Sequence, residues 1–344
     1  MPDMSQEYRP IHAVTMGDAA GSGPEIITKT LAEPDIRESC RCVVIGDASV
    51  MEDALRITKM PGRIRAIKDI SEARFEDGVI EVLDLHNIDL GKLQRGKVDV
   101  MAGAAAYDYI KLGTELTLAG KADAIVTSAI NKESLNKAGY HYDGHTGLLA
   151  ELCGTRDVAM MLVADRFRVA HVTTHVSMRQ ALDLIRPERI LKVIDLTHNA
   201  VKEMGVSNPL IAVAGLNPHS GEDGLFGDEE IKYIIPAIKE AIRRGYNVYD
   251  RALPPDTVFY RAYEGQFDAA IAMYHDQGHI AIKMLGLWLG VNVTLGLPII
   301  RTSVDHGTNF GKAGKGTADA RSMNAAVRLA TVMARSRRAK AQAT

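Results

Sequence analysis

Three histidines of this 344-residue chain share one kind of position. His175, His219 and His275 each follow a run of apolar residues that is typical of a buried strand. In a parallel sheet the carboxyl ends of the strands meet at one edge, so the three imidazoles are expected to converge there. Three imidazoles with an open coordination position are typical of a catalytic zinc site or one for a similar divalent ion. A lone histidine of this kind is more often structural, and only the repeated placement favours a metal site.

The third of these histidines lies in an unusually polar strand-to-helix segment. Ala272–His279 reads A-M-Y-H-D-Q-G-H, with Asp276 directly after His275 and Lys283 four residues beyond the segment. Asp276 and Asp256 are candidates for proton transfer or for orienting a metal-bound imidazole. The alternative is structural, with Asp276 capping the next helix and His275 hydrogen-bonded in a turn.

A second candidate site lies at the start of a predicted apolar helix. His145 and Thr146 belong to the tripeptide G-H-T, and the apolar residues that follow have helical spacing. Side chains and free amides at a helix N-terminus bind anions, which predicts a phosphate or carboxylate here. Thr146 as a simple helix cap is the alternative.

The region from Gly296 to Asp319 is predicted to be a glycine-rich polar loop before a C-terminal helix. It is not a P-loop, because Gly307 and Gly311 are one residue too close and Ala313 stands where Ser or Thr would reach magnesium. The opening turn, residues 17–25, likewise lacks the G-x-G-x-x-G dinucleotide pattern. A loop with unpaired amides, Asp305 and His306 remains, which can wrap an adenosine or merely link two elements.

The elements that carry these residues alternate along the chain. Continuous apolar strands alternate with helices, which predicts a mostly parallel sheet with helices on both faces. The predicted strands are 11–16, 42–46, 79–83, 124–126, 160–164, 168–174, 209–215, 267–272 and 291–295, and the longest predicted helix lies within 98–120. At this length the chain fits two domains or one large α/β unit.

Composition excludes several classes of protein. Lys and Arg total 41 and Asp and Glu total 43, so the formal net charge is −2, and neither half of the chain is basic. Nucleic acid is therefore not an expected partner. No stretch approaches a membrane span, no apolar leader is visible, and three cysteines without metal spacing are typical of a reducing compartment. A cytoplasmic protein is expected.

Taken together in order, these motifs resemble the 4-hydroxythreonine-4-phosphate dehydrogenase (PdxA) family. The resemblance runs from about Ile11 to about Leu329. It rests on G-D-A-A-G-S-G-P-E (17–25), G-H-T (144–146), T-T-H (173–175), L-N-P-H-S-G-E (216–222), A-M-Y-H-D-Q-G (272–278), Lys283 and G-V-N-V-T-L-G-L-P-I-I-R-T-S-V-D-H-G-T (290–308).

The resemblance implies a fold similar to isocitrate and isopropylmalate dehydrogenases, with two α/β domains and the active site in the cleft between them. One domain would comprise residues 1–126 and 276–344 and the other residues 127–275. It also implies an obligate homodimer whose site takes metal ligands from both chains.

The resemblance also assigns roles to individual residues. His175 and His219 of one chain and His275 of its partner would bind the metal. His145, Thr146, Lys283, Asn292 and Arg301 would contact a phosphorylated substrate. The loop 305–316 is similar to the family's NAD-binding loop, which implies contacts from Asp305, His306, Gly307, Thr308, Gly314 and Gly316.

The implied activity is NAD-dependent, metal-dependent oxidation of a secondary alcohol β to a carboxylate, followed by decarboxylation. Three segments, residues 224–230, 254–259 and 262–268, resemble the branch that acts on D-threonate or D-erythronate 4-phosphate. The alternatives are 4-phosphohydroxy-L-threonine oxidation in vitamin B6 synthesis, an aromatic cis-dihydrodiol dehydrogenase, a metal lyase or hydrolase with three histidine ligands, and a non-catalytic sugar-phosphate binder. Zinc is the favoured metal, with cobalt, nickel or magnesium as alternatives. The role of Lys132 stays open between a surface residue and one that reaches the site.

Overall fold

The computed structural model describes residues 8–285 and 290–343, so the N-terminal segment considered above lies outside the described residues. These residues pack into two compact units. Unit 1 holds the residues up to Arg156 and from Leu297 onwards, and unit 2 is Asp157–Gly296. The sequence analysis places the two divisions earlier, after residues 126 and 275.

Unit 1 contains an all-parallel sheet of six strands in the order β3-β4-β2-β1-β5-β12. The strands are β1 (Ile11–Thr15), β2 (Arg41–Gly46), β3 (Arg63–Ile67), β4 (Val79–Asp84), β5 (Ala124–Thr127) and β12 (Ile300–Val304). The four central strands are almost wholly buried, as expected for parallel strands covered on both faces.

The helices of unit 1 begin and end where the local sequence favours it. They are α1 (Gly23–Thr30), α2 (Pro34–Ser39), α3 (Ala48–Thr58), α4 (Val100–Leu118), α5 (Lys132–Lys137), α6 (His145–Leu152) and α12 (Arg321–Ala343). Pro24 lies in the first turn of α1, where its missing N–H costs nothing. Asp47 caps α3 and Asp99 caps α4 through their carboxylates.

The segment after β5 belongs to unit 1 because helices α5 and α6 pack on α4. Gly103 of α4 allows this close approach, since a Cβ there would lie 2.2 Å from the carbonyl oxygen of Ser134. This packing explains why the first division of the chain falls after Arg156.

Unit 2 contains six further strands in the order β11-β6-β7-β10-β8-β9. They are β6 (Ala159–Ala164), β7 (Phe167–His171), β8 (Ile211–Ala214), β9 (Val248–Leu253), β10 (Ala269–Ala272) and β11 (Val291–Leu295). Strands β7, β10, β8 and β9 are parallel, whereas β6 pairs antiparallel with both β7 and β11.

The helices of unit 2 are α7 (Met178–Leu184), α8 (Pro187–Glu203), α9 (Ile235–Arg243), α10 (Val258–Tyr263) and α11 (His275–Lys283). Helix α11 packs on β6, β7 and β10, which keeps it in unit 2 and moves the second division past residue 275. Its Ile282 joins a buried cluster with Phe167, Val169 and Ala270. No helix in the described part of the chain has the length and apolarity needed to cross a bilayer.

The predicted strands and the long helix are all present, with shifts of a few residues at their ends. The prediction of a continuous polar loop from Gly296 to Thr308 is wrong, because Ile300–Val304 forms the fully buried strand β12. Ile300 and Val304 lie on one face with Thr302, whose hydroxyl donates to the carbonyl oxygen of Ala326, and Arg301 on the other face made the segment look polar.

Candidate active site

The strand ends of unit 2 carry the three histidines. Strands β7, β10 and β8 are neighbours and parallel, and they are followed by His175, His275 and His219 respectively. The shared placement at one edge of the sheet is therefore present in the structure. His275 is the first residue of α11, two residues after the buried Met273.

Two of the three imidazoles lie close together. The ring centroids of His175 and His275 are 5.6 Å apart, and Asp276 Oδ1 lies 2.6 Å from His275 Nδ1. Both rings border a cavity of about 290 Å³ whose lining is Thr173, Thr174, His175, Val176, Met178, Ala181, Tyr274, His275 and Asp276. The ring nitrogens of all three histidines do not lie within 4.8 Å of one another, so they do not converge within one protomer as the residue pattern alone suggested.

The loop that carries His219 has an unusual backbone. Residues 219–223 all have φ between 42° and 79°. This is the left-handed region of backbone conformation, which residues other than glycine rarely adopt. His175 also has a positive φ, 41°. Such conformations cost free energy and persist where the surrounding structure enforces them, often at functional sites.

A buried carboxylate enforces the backbone before His219. The side chain of Glu230 accepts hydrogen bonds from the backbone N–H groups of Leu216 and Asn217, both at 2.7 Å, and from Asn217 Nδ2 at 2.9 Å. Glu230 is 1% exposed. Sequence reasoning missed this residue, because nothing in the acidic run Asp228–Glu230 distinguishes a buried carboxylate from a solvated one.

Two further histidines lie beneath His275. The ring of His279 stacks on that of His275, with centroids 3.6 Å apart, and its Nδ1 lies 3.1 Å from Nε2 of the fully buried His171. Burial lowers the pKa of His171 to about 3 and that of His279 to about 4, so both rings are neutral at pH 7. His171 Nδ1 lies 3.4 Å from the carbonyl oxygen of Met160, which favours the tautomer whose Nε2 accepts from His279.

Gln277 fixes the end of β10 against the end of β8. Its Oε1 accepts from the N–H of Met273 at 2.6 Å, and its Nε2 donates to the carbonyl oxygen of Gly215 at 2.8 Å. This bridge holds the backbone that leads to His275 beside the backbone that leads to His219. Sequence reasoning did not assign a role to Gln277, His171 or His279, because their partners are distant in the chain.

The remaining candidates of unit 2 lie on separate elements. Lys283 is the last residue of α11, Asn292 lies on β11, and Asp256 lies exposed between β9 and α10. Asp276 is exposed in the first turn of α11. Asp276 contacts a predicted metal ligand through its hydrogen bond to His275.

Unit 1 carries a separate cluster suited to anions. Arg301 is 2% exposed and donates from Nη2 at 2.8 Å and Nε at 3.2 Å to Thr127 Oγ1. Burial lowers the pKa of Arg301 to about 9, which leaves it charged at pH 7. Burial and the Arg301 charge hold the pKa of His145 well below its usual range, so this imidazole is neutral. His145 Nε2 is buried without a hydrogen-bond partner among the described residues.

The start of α6 brings Lys132 to the same cluster. Gly144, which precedes the helix, has φ 148°, and a Cβ there would lie 3.6 Å from Lys132 Cε. His145 and Thr146 occupy the first turn of α6, so Thr146 is not the helix cap. A buried guanidinium, a neutral imidazole and a lysine at a helix start together suit a phosphate or carboxylate.

The glycine-rich loop after β12 is anchored to α1. Glu25 accepts hydrogen bonds from the N–H groups of Gly314 at 2.5 Å and Gly316 at 2.6 Å, while Lys29 donates to the carbonyl oxygen of Gly316 at 2.7 Å. The expectation of unpaired amides is therefore wrong for Gly314 and Gly316. Ser22 holds the start of the loop through its N–H to the carbonyl oxygen of Thr308 at 3.0 Å. At Gly307 a Cβ would meet nothing within 4 Å, so space is open on that side.

One compact set of possible metal ligands occurs among the described residues. Asp47, Asp84 and His86 have ligand atoms within 4.8 Å of one another. Both carboxylates already accept backbone hydrogen bonds: Asp47 from Ser49, Val50 and Ile88, and Asp84 from the N–H groups of Ala48 and His86. These bonds account for the cluster as a helix cap and turn.

Comparison with known proteins defines the class. The chain is similar to the D-threonate 4-phosphate dehydrogenase of Cupriavidus necator, with 49% identity over 94% of this chain and 96% of that protein. Similarity to the D-threonate 4-phosphate dehydrogenase of Salmonella typhimurium is 48% identity over 94% of this chain and 98% of that protein. The class is therefore an oxidoreductase that acts on a CH–OH group.

The family follows from two further comparisons. The crystal structure of a 4-hydroxythreonine-4-phosphate dehydrogenase from Burkholderia phymatum aligns with a TM-score of 0.83 at 48% identity, covering 95% of this chain and 99% of that one. The family model described as pyridoxal phosphate biosynthetic protein PdxA matches residues 38–330, and the chain belongs to this family. The predicted fold class, a mostly parallel α/β fold with helices on both faces, is confirmed by the strand pairing and by the alignment with the Burkholderia phymatum structure.

Proposed function

We propose that the protein is an NAD- and divalent-metal-dependent dehydrogenase that oxidises and decarboxylates a phosphorylated four-carbon 3-hydroxy acid, with D-threonate 4-phosphate as the favoured substrate. The observation that carries the proposal is the buried Arg301 beside the neutral His145. A guanidinium that is charged at pH 7 and buried next to an uncharged imidazole provides fixed positive charge and a hydrogen-bond donor for a phosphate. The names of the relatives at 48–49% identity support the choice of sugar-acid phosphate.

The imidazoles of unit 2 fit a divalent metal by their chemistry. His175, His219 and His275 would hold the ion, with His275 from the partner subunit of a homodimer. A nitrogen donor set of this kind suits zinc, cobalt or nickel better than magnesium. When bound, the metal supplies Lewis-acid stabilisation for negative charge that develops on the reacting oxygen.

The loop 305–316 would hold the adenosine part of NAD at Gly307, which faces open space and directly follows Asp305 and His306. Thr308, Gly314 and Gly316 would shape the loop rather than all donate to the nucleotide, since the glycine amides already bind Glu25. When bound, NAD accepts the hydride that leaves the substrate carbon.

The chain's own residues would bind the substrate and move its protons. Arg301, His145 and Thr146 would bind the phosphate, and Lys283 and Asn292 the carboxylate end or hydroxyl groups. Asp276 would orient His275 through the 2.6 Å contact between its Oδ1 and the ring Nδ1. Lys283 Nζ and the Asp256 carboxylate are the proposed acid–base groups. They would accept the proton of the substrate hydroxyl and donate a proton to the product after carbon dioxide is lost.

The second candidate substrate is 4-phosphohydroxy-L-threonine. It is favoured by the name of the Burkholderia phymatum structure, which aligns at 48% identity. Both substrates carry a phosphate, so the Arg301 cluster does not separate them. An aromatic cis-dihydrodiol would leave the Arg301 guanidinium and His145 without an anion to bind.

The test is NADH formation by the purified protein with D-threonate 4-phosphate, D-erythronate 4-phosphate and 4-phosphohydroxy-L-threonine side by side. Preferred turnover of a sugar-acid phosphate supports the proposal, and His219→Ala should abolish it. Preference for the amino acid phosphate would move the protein to the second candidate. No NADH with any of the three, from folded and metal-loaded protein, would overturn the proposal.

A further inference from the structure

The loop that carries His219 closes on the carboxylate of Glu230. Besides accepting the hydrogen bonds described above, this carboxylate lies against two glycines of the loop. A Cβ at Gly215 would lie 3.0 Å from Glu230 Oε1, and a Cβ at Gly221 would lie 2.8 Å from Oε2. One buried side chain therefore contacts the backbone on both sides of His219.

The imidazole of His219 depends on this backbone for its position. The side chain is exposed, and no residue in the described part of the chain forms a hydrogen bond with the ring. Its aromatic neighbour is Phe226, with the ring centroids 6.0 Å apart, and Phe226 is itself 47% exposed. Histidines that bind metals are usually oriented by a hydrogen bond from the second ring nitrogen. For His219 the backbone of the loop supplies that orientation.

The carboxylate of Glu230 is a strong holder of the loop. Glu230 begins a π-helical turn, Glu230–Ile234, which leads directly into α9, and such turns are frequent at functional sites. Among the described residues no Lys, Arg or His pairs with this carboxylate, so its partners are the three N–H donors of the loop. Hydrogen bonds to an ionised acceptor are roughly twice as strong as neutral ones. A glutamine would keep one acceptor oxygen and place its NH2 group against one of the donors.

We propose that Glu230 is a positioning residue that sets the affinity of the His219 site for a divalent metal ion. It fixes the backbone before and after His219, and a metal ligand that is held less precisely binds the ion less tightly. This inference rests on the proposed function, because it takes His219 as a metal ligand. It does not require Glu230 to touch the metal or the substrate.

The test is a zinc titration of the full-length apoprotein in competition with a chromophoric chelator, well below the temperature of unfolding. Glu230→Gln should bind as many zinc ions as the unaltered protein, but about 10- to 100-fold more weakly. Cobalt in place of zinc gives a second readout, because its visible absorption depends on the geometry of its ligands. The cobalt spectrum of Glu230→Gln should differ from that of the unaltered protein, a change that a loss of stability alone does not produce.

Two further variants separate position from charge and from stability. Asp228→Asn removes a carboxylate from the same segment, but Asp228 is exposed and pairs with Lys232 at 2.6 Å, so zinc affinity should not change. Asn217→Ala keeps the Glu230 charge and removes one hydrogen bond to it, which should weaken zinc binding about fivefold. This variant tests the proposal even if Glu230→Gln does not fold.

The outcomes separate this proposal from the proposed function. Unchanged zinc affinity and cobalt spectra in Glu230→Gln and Asn217→Ala, with zinc binding lost in His219→Ala, would overturn the role of Glu230 alone. Equal losses in Glu230→Gln and Asp228→Asn would also overturn it, because they would reflect net charge. An unaltered protein that binds no zinc, or His219→Ala that binds zinc as tightly, would contradict the metal site itself, and this proposal would fall with it.

Discussion

Arg301 is the residue on which the phosphate hypothesis depends. Its guanidinium is buried on β12 and held by Thr127, and burial alone lowers its pKa to about 9. Burying a charge costs free energy unless the charge is paired or hydrogen-bonded, and a bound phosphate would pair with this guanidinium.

Arg301→Met should therefore separate binding from folding. We expect KM for the phosphorylated substrate to rise by about 10- to 100-fold, because a hydrogen bond to a charged group contributes about 1.5–3 kcal/mol. The melting temperature of the same variant measures separately what Arg301 contributes to folding. Steady-state kinetics and thermal unfolding check both points, with the exposed Arg251→Met as the matched control. A lower melting temperature with unchanged KM would assign Arg301 a purely structural role.

Asp18 is a second buried charge, in the turn after β1. It is 1% exposed, its Oδ1 accepts from the N–H of Ala20 at 2.8 Å, and its Oδ2 has no hydrogen-bond partner among the described residues. Burial raises the pKa of Asp18 from its usual 3.8 to about 6. Since the folded-state pKa lies above the unfolded one, the charged form destabilises the fold above about pH 6, and the penalty disappears below about pH 4.

Asp18→Asn should consequently be more stable than the unaltered protein at pH 7.5, by about 2–3 kcal/mol in free energy of unfolding. The gain should shrink as pH falls from 6 towards 4. Urea unfolding at several pH values measures this, with the exposed Asp77→Asn as the control for a lost charge. A gain that is independent of pH, or a loss at pH 7.5, would rule out a buried carboxylate penalty.

At the scale of elements, helix α11 decides the geometry around His275. Gly278 lets the helix pack on β7, since a Cβ there would lie 2.4 Å from His171 Nε2. His279, the next residue of the helix, contacts both His171 and His275. Helix α11, the buried His171 and the ring of His279 thus form one packed cluster beneath His275, the predicted metal ligand.

Gly278→Ala should destabilise the protein by about 1–3 kcal/mol, the cost of overpacking, although alanine ordinarily stabilises a helix interior relative to glycine. It should also weaken metal binding, because His279 and His275 must shift. Chemical unfolding and chelator competition measure the two effects. Gly147→Ala in α6 is the control, because a Cβ there would meet only the end of the Asp143 side chain, at 3.2 Å. A stabilised Gly278→Ala with intact metal affinity would contradict the packing argument.

The sequence predicted the strands that carry these residues, because continuous apolar runs and turn glycines act locally. It did not predict β12, because the charged Arg301 in this buried strand is typical of a polar loop. It also missed Glu230, His171 and His279, whose importance depends on hydrogen bonds and stacking that only the tertiary structure creates. The same limit applies to the backbone N–H groups of Gly314 and Gly316. The sequence predicted that they are unpaired, whereas in the structure they donate to the Glu25 carboxylate.

At the scale of the whole molecule, a single protomer does not gather His175, His219 and His275 within 4.8 Å. The proposed homodimer resolves this if His275 of the partner subunit completes the site.

A test of the shared site is to mix two inactive variants, His219→Ala and His275→Ala, under conditions that exchange subunits. Random exchange gives half heterodimers, each with one intact site, so about a quarter of the original activity should return. Each variant alone should stay inactive. No recovery, with subunit exchange verified by differential tagging, would contradict a shared site.

The most direct test of the account is the product balance with D-threonate 4-phosphate. NADH is followed by absorbance and carbon dioxide by release from carboxyl-labelled substrate, with and without a chelator. The account expects one NADH and one carbon dioxide for each substrate consumed, and loss of both when the metal is removed. NADH without carbon dioxide would contradict the decarboxylation step, and turnover that survives complete metal removal would contradict the metal site.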